Sequence, residues 1–230
     1  MDLSDWILEE QGCWARLILN RPTSLNSFRT ETFHQLKQII MRIGKSTEVR
    51  CLVLGASGRE FSSGLDISDA RKLLSKARRG NGLLSRMPGK RASLRGLQDP
   101  SGCPGQERLN LLHHIDEIQG CISSLELFPW PVIACVQGRC IGAGLDLIAA
   151  SDIRLCTADA TFIVKEVDMA ITADLGTLQR LPGIIGEGRA REMALTAREV
   201  PATEALAMGL VSRWGPLLGS TCWLCTHPGA

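Results

Sequence analysis

The sequence has no uninterrupted apolar stretch of the roughly 18 residues that a membrane-spanning helix needs. It also lacks an excess of charge of one sign. Lys and Arg total 26 against 24 Asp and Glu, and the net charge of +2 makes no global case for nucleic-acid binding. The first residues, MDLSDWILEEQG, contain neither the basic n-region of a secretory signal nor an Arg/Ser-rich amphipathic presequence. The last four, HPGA, are not an SKL-type peroxisomal address. Metal-ligand spacing is sparse: Cys222 and Cys225 make one CxxC with His227 beyond it. A zinc site needs a second ligand pair, and haem attachment needs CxxCH, which Thr226 interrupts. No metal is expected.

What is present is ordinary for a soluble globular chain. The 230 residues are 44% apolar and 22% charged, enough to bury a substantial core. Nine cysteines, an odd number without a signal peptide, argue for a reducing compartment rather than a disulfide scaffold. Cys13, Cys51, Cys135, Cys140 and Cys156 sit in or beside apolar runs, where a thiol serves as a small hydrophobe.

Short runs rich in Val, Ile and Leu at 15–20, 50–56, 131–137 and 161–166 read as buried strands. Between the first two, Phe33, Leu36, Ile40 and Ile43 recur at three- and four-residue intervals, which predicts an amphipathic helix. Pro201 at a first helical position and Gly209 after Met208 frame a later short helix. Alternating strands and helices imply an α/β fold. Residues 71–108 break this pattern: nine basic residues lie between Arg71 and Arg95 with no acid among them. Composition reads this stretch as a flexible, solvated insertion. The sharper alternative is a basic flap that meets the phosphates of a nucleotide-bearing substrate, with Arg71 and Lys72 nearest any site.

The chemistry concentrates between Pro131 and Pro182, where Asp146, Glu166 and Asp174 surround the turn Gly142-Ala143-Gly144 in an otherwise apolar segment. Carboxylates are rarely buried without a partner or a role. Acids beside oriented amides suit proton transfer next to a carbonyl, because the amides can hold an enolate oxygen. The plainer reading of the glycine turn is a tight strand-to-helix connection. Asp146, just inside the expected helix, is also favoured there by the helix dipole. Asp152 and Asp168 read as structural, and the adjacent His113 and His114, which cannot share one helix face, as surface or core residues.

Five motifs in order, LILNRPTSLNSF (17–28), CLVLGASGREFSSGLDI (51–67), PVIACVQGRCIGAGLDL (131–147), VKEVDMAITADLGTLQRLPGIIG (164–186) and ALTAREVPATEALAMGLVSR (194–213), resemble the crotonase (enoyl-CoA hydratase/isomerase) superfamily. The resemblance is greatest to its Δ3,5-Δ2,4-dienoyl-CoA isomerases. It implies a spiral of ββα repeats over residues 1–213, interrupted by the insertion at 71–108 and followed by an atypical tail at 214–230. It also implies a fatty acyl-CoA thioester as substrate, CoA entering as part of the substrate rather than as a cofactor, and a homotrimer or hexamer. The oxyanion-hole amides map to Leu65 and Ala143, where the family usually has glycine at the second position. Alanine at 143 is strained if that backbone is left-handed and costs nothing in a first helical turn. Ser63, Gly64, Asp66 and Gly142 accompany these amides as substrate-binding positions, with Arg71 and Lys72. Glu166 is assigned to the proton at C2 and Asp174 to C6, with Asp146 the third acid, in proton transfer or in support of the pair.

Asp174 separates this reading from a hydratase, which commonly has glycine there. A hydratase or another acyl-CoA isomerase is the alternative. The family normally continues past VSR with further helices, so the tail WGPLLGSTCWLCTHPGA reads as an alternative or truncated terminus. An impaired subunit or interaction-only product is therefore a third reading. The resemblance implies mitochondria or peroxisomes; with no address evident, the cytosol stays open.

Overall fold

The computed structural model describes residues 4–69 and 104–215. A hairpin opens the chain: β1 (Trp6–Gln11) and β2 (Trp14–Leu19) pair antiparallel with Trp6 opposite Leu19. The two-residue connection uses Gly12 at a φ of 57°, a left-handed conformation that glycine adopts without strain. β2 alternates buried and half-buried positions, so Ala15, Leu17 and Leu19 form a sealed row. β3 (Cys51–Ala56) instead buries Leu52, Val53 and Leu54 consecutively, as a strand covered on both faces does.

β3, β4 (Val132–Val136), β6 (Ile153–Thr157) and β9 (Arg213–Gly215) add to β2 in parallel, giving a six-stranded sheet in the order β1-β2-β3-β4-β6-β9. A second sheet joins β5 (Arg139–Ile141), β7 (Thr161–Ile163) and β8 (Val200–Pro201). This mixed α/β architecture is that of the expected spiral. The strands arise where the apolar runs lie, with one shift. The run at 161–166 is extended only to Ile163, and Glu166 opens a 3-10 turn that ends at Met169.

Helix α1 (Thr30–Ile43) buries the four expected residues together with Thr32 and Ile39. Its N-terminus is tied from both sides: Arg29 N–H donates to Thr32 Oγ1 at 3.2 Å, and Thr30 N–H donates to Asp69 Oδ2 at 3.0 Å. Helix α2 (Pro104–Ser123) packs on α1, and its first five residues belong to the stretch expected to be an insertion. Helices α3 (Ala143–Ala149), α4 (Thr177–Ile185), α5 (Glu187–Thr196) and α6 (Ala202–Ala207) complete the described residues. Pro201 caps α6 from outside rather than opening it, a one-residue shift, and Gly209 takes the expected left-handed φ of 84°.

Cys121, Cys135, Cys140 and Cys156 are buried in the core, whereas Cys13 is exposed in the first turn. Burial, with the Asp146 charge nearby, pushes the Cys140 thiol well up. Among the described residues no helix is long and apolar enough to cross a membrane. The bulk of the basic stretch, Arg71 and Lys72 within it, and the tail with Cys222, Cys225 and His227 lie outside the described residues.

Candidate active site

The site forms where the loop after β3 crosses the end of β5. Asn26, 1% exposed, clamps this loop by donating from Nδ2 to Ser57 O at 2.7 Å and Glu60 O at 2.8 Å. Ser62 Oγ returns a bond to Asn26 O at 2.8 Å. Ser62 also pairs with β5, and its backbone oxygen accepts Ile141 N–H at 3.0 Å. Gly64 then turns at a φ of 91°, so close to β5 that a Cβ would lie 3.1 Å from Ile141 O and 3.8 Å from Ala143 N. Glycine is required there by both conformation and space.

That crossing brings two amides together. Phe28 N–H donates to Gly64 O at 2.8 Å, and Asp66 N–H donates to Phe28 O at 2.9 Å. In such a bridge the intervening Leu65 N–H faces the opposite side. Ala143 is the first residue of α3, and the left-handed φ of 50° falls on Gly142 before it. Alanine therefore stands in an ordinary first helical turn, where its methyl introduces no backbone strain. Among the described residues neither the Leu65 nor the Ala143 N–H has an acceptor.

The carboxylates gather around this pair. Glu166 Oε1 approaches Gly142, where a Cβ would lie 3.1 Å away; Glu166 Oε2 is buried without a partner among the described residues. Burial raises the Glu166 carboxyl above its ordinary range, backbone hydrogen bonds oppose this, and the Asp174 charge adds to it. Asp174 is half-buried, and desolvation raises it as well. Its loop is anchored by Gln119 Nε2, which donates to Asp174 O, and by Arg180 Nη1, which donates to Leu175 O at 3.2 Å.

Asp146 is 1% exposed and accepts the Thr177 N–H on Oδ1 at 2.7 Å. Burial raises it to about 7 against the opposing Thr177 hydrogen bond, and the Glu166 charge raises it further. It therefore fastens the Asp174 loop from beneath.

Two cavities meet at this place. One, of about 310 Å³, holds Leu65 and Asp174 between apolar walls; the other, of about 510 Å³, holds Glu166. Ile171 and Thr172 line both. Ser63 and Asp66 lie on a smaller serine-rich cavity that also touches Leu65. Asp66 is held down by the Ser68 hydroxyl against its burial, with help from the Asp69 and Ser68 amides and Ser27. Asp152 accepts Val132 N–H at 2.8 Å, and Asp168 pairs with Lys165, both structural contacts as expected.

Sequence reasoning missed Asn26, whose buried side chain shapes the loop; His114, read as a surface or core residue, lies half-buried on α2. The latter lines the Asp174 cavity from α2, whereas His113 is exposed. A signal was available, since Leu111, His114, Ile115 and Ile118 form one helical stripe. Among the described residues no group of three or more His, Cys, Asp or Glu side chains could hold a metal ion.

Two crossed loops carrying amides without acceptors among the described residues, beside buried acids on an α/β framework, form an arrangement that can support proton transfer next to a carbonyl. The chain belongs to the enoyl-CoA hydratase/isomerase family, whose models match residues 14–97 and 113–218. It is 38% identical over 197 residues to the peroxisomal Δ3,5-Δ2,4-dienoyl-CoA isomerase of Arabidopsis thaliana, covering 86% of this chain and 63% of that protein. The mitochondrial Δ3,5-Δ2,4-dienoyl-CoA isomerase of Rattus norvegicus is 38% identical over 199 residues, covering 86% and 54%. This chain thus spans between about half and two thirds of those relatives' length. Among solved structures, a putative enoyl-CoA hydratase from Thermobifida fusca in complex with acetoacetyl-CoA superposes with a TM-score of 0.71 at 28% identity, covering 92% of this chain and 74% of that one.

Proposed function

We propose that this site isomerises a 3,5-dienoyl-CoA to the 2,4-dienoyl-CoA. The observation that carries the reading is the Glu166–Asp174 relationship. Two carboxylates, both raised by burial and Glu166 further by the Asp174 charge, line adjoining cavities beside two amides that lack acceptors among the described residues. Such a pair can hold one ionised and one protonated member, because like charges in close burial resist ionising together.

In this reading the ionised Glu166 takes a proton from C2. The electrons form C1=C2 and place negative charge on the thioester oxygen, which the Leu65 and Ala143 N–H groups hold. The charge then returns through the conjugated chain. C6 takes the proton of Asp174, and the double bonds settle at C2=C3 and C4=C5. Glu166 ends protonated and Asp174 ionised, and a proton passed back through water resets the pair. Asp146 touches neither proton; it positions Asp174 through Thr177.

The partner is a fatty acyl-CoA thioester, in keeping with the acetoacetyl-CoA bound to the Thermobifida relative. The relatives named as peroxisomal and mitochondrial support a setting in fatty-acid β-oxidation in one of those organelles. Assembly as a trimer or hexamer belongs to the same proposal. The test is incubation of the purified chain with a 3,5-dienoyl-CoA, following the 2,4-diene by its absorbance, beside Asp174→Asn. Diene formed by the wild type and lost in the variant supports the isomerase. A 3-hydroxyacyl-CoA made from an enoyl-CoA, with no diene, replaces it by a hydratase. Binding of CoA esters without either product leaves a non-catalytic subunit.

A further inference from the structure

We propose that Arg180 is a positioning residue for Asp174: its guanidinium pins the acid loop to the end of α2, and Glu126 balances its charge. The proposal rests on the isomerase reading above and deepens it, by naming what holds the C6 acid in place.

The loop needs an anchor from outside. Residues 170–176, between the 3-10 turn and α4, form no helix or strand, so no regular ladder fixes Asp174. Side chains supply the hold instead. Gln119 Nε2 donates to Asp174 O, and Arg180 Nη1 donates to Leu175 O at 3.2 Å. The same guanidinium lies against Gly176, where a Cβ would come within 1.6 Å of Nη1.

Arg180 is in turn fastened to the end of α2 and the turn that follows it. Nη2 donates to Ser123 Oγ at 2.9 Å, and Nε and Nη2 donate to the two Glu126 carboxylate oxygens at 2.8 Å each. Such a two-point pair fixes the plane of the guanidinium as well as its place, which a point charge does not. The Arg180 side chain is 12% exposed, so little solvent competes for these bonds.

A cation beside a proton donor works against it. Arg180 and Asp174 line one cavity of about 350 Å³, where a bare positive charge would favour the ionised carboxylate. Glu126 lines the same cavity and answers that charge. The Arg180 hydrogen bond holds the Glu126 carboxyl below its ordinary range, so it stays ionised as the counter-charge. The other titratable groups around Asp174 are Glu166 on the 3-10 turn, Asp146 on α3, and Asp66, Asp69 and His114 on the cavity of about 310 Å³. Among the described residues, Arg180 is the one Lys or Arg that lines either cavity with Asp174.

The experiment compares wild type, Arg180→Met and Glu126→Gln, with melting curves to establish which are folded. Each is given a 3,5-dienoyl-CoA, and two rates are read: diene formation and deuterium exchange at C2. In the reading above C2 exchange reports Glu166 and not Asp174, so it separates a misplaced acid from general damage. Arg180→Met is expected to lower kcat for diene formation about tenfold or more, with KM and C2 exchange within about threefold of wild type. Glu126→Gln keeps an acceptor for Arg180 and frees its charge. The alkaline limb of diene formation should then move to lower pH, by about half a unit or more. Where Arg180→Met fails to fold, that pH shift decides. Unchanged diene formation in a folded Arg180→Met, equal losses of diene and C2 exchange, or an alkaline limb that stays in place in Glu126→Gln overturns the proposal. Any of these with diene formed by the wild type leaves the isomerase reading standing. No diene from the folded wild type removes both.

Discussion

Asp146 Oδ1 accepts the Thr177 N–H at 2.7 Å, so a carboxylate near the start of α3 holds down the loop that carries Asp174 three residues earlier. The bond joins the glycine turn to the acid loop through a side chain that is 1% exposed. Its energetic consequence depends on pH, because the same burial raises Asp146 to about 7.

A carboxyl raised in the folded state binds its proton more tightly there than in the unfolded chain. Its contribution to stability is complete below the ordinary value of 3.8 and is lost as pH climbs through about 7. Asp146→Asn keeps the acceptor oxygen and removes the titration. Denaturant unfolding at pH 5 and pH 8 should show the wild type losing more stability across this interval than the variant, by up to about 3 kcal/mol. Equal losses would show that Asp146 does not titrate in that window.

Glu166→Gln and Asp174→Asn should separate the two proton transfers. Deuterium exchange at C2 of the acyl-CoA is expected to disappear in Glu166→Gln and to persist in Asp174→Asn, while both lose about 10²- to 10⁴-fold in diene formation. Normal C2 exchange without the Glu166 carboxylate would reverse the assignment.

The pH dependence of diene formation should be bell-shaped. One carboxyl must be ionised and the other protonated, so activity falls when acid protonates Glu166 and again when base removes the Asp174 proton. In Asp174→Asn the fall toward high pH should be lost from the residual rate.

Gly142 and Ala143 should respond oppositely to exchange. Gly142→Ala places a methyl 3.1 Å from Glu166 Oε1 at a φ of 50°, and should cost about 1–3 kcal/mol in unfolding measurements together with most of the activity. Ala143→Gly keeps the N–H in a helical first turn and should leave kcat within about threefold, with a stability loss of at most about 1 kcal/mol.

Much of the architecture was legible because apolar periodicity reports which face of an element is buried. Phe33, Leu36, Ile40 and Ile43 marked α1, and the Val/Ile/Leu runs marked the parallel strands. The end of the 161–166 run was not legible, because Val164 is as apolar as the strand before it while the chain already turns. Whether Ala143 was strained also could not be read from GAG alone. The answer lay in which residue carried the positive φ, and that is Gly142.

The sequence by itself determined the family, the α/β class and the identity of the three acids, since these depend on residue types and their order. Tertiary structure alone decided their relations. Among the described residues it left the Leu65 and Ala143 amides without acceptors, set the Asp146 carboxylate on the Thr177 N–H, and brought His114 to the wall of the cavity that Asp174 also lines. Each relation joins residues on different elements, and their distance is set by packing and loop crossing, which no local pattern in the chain records.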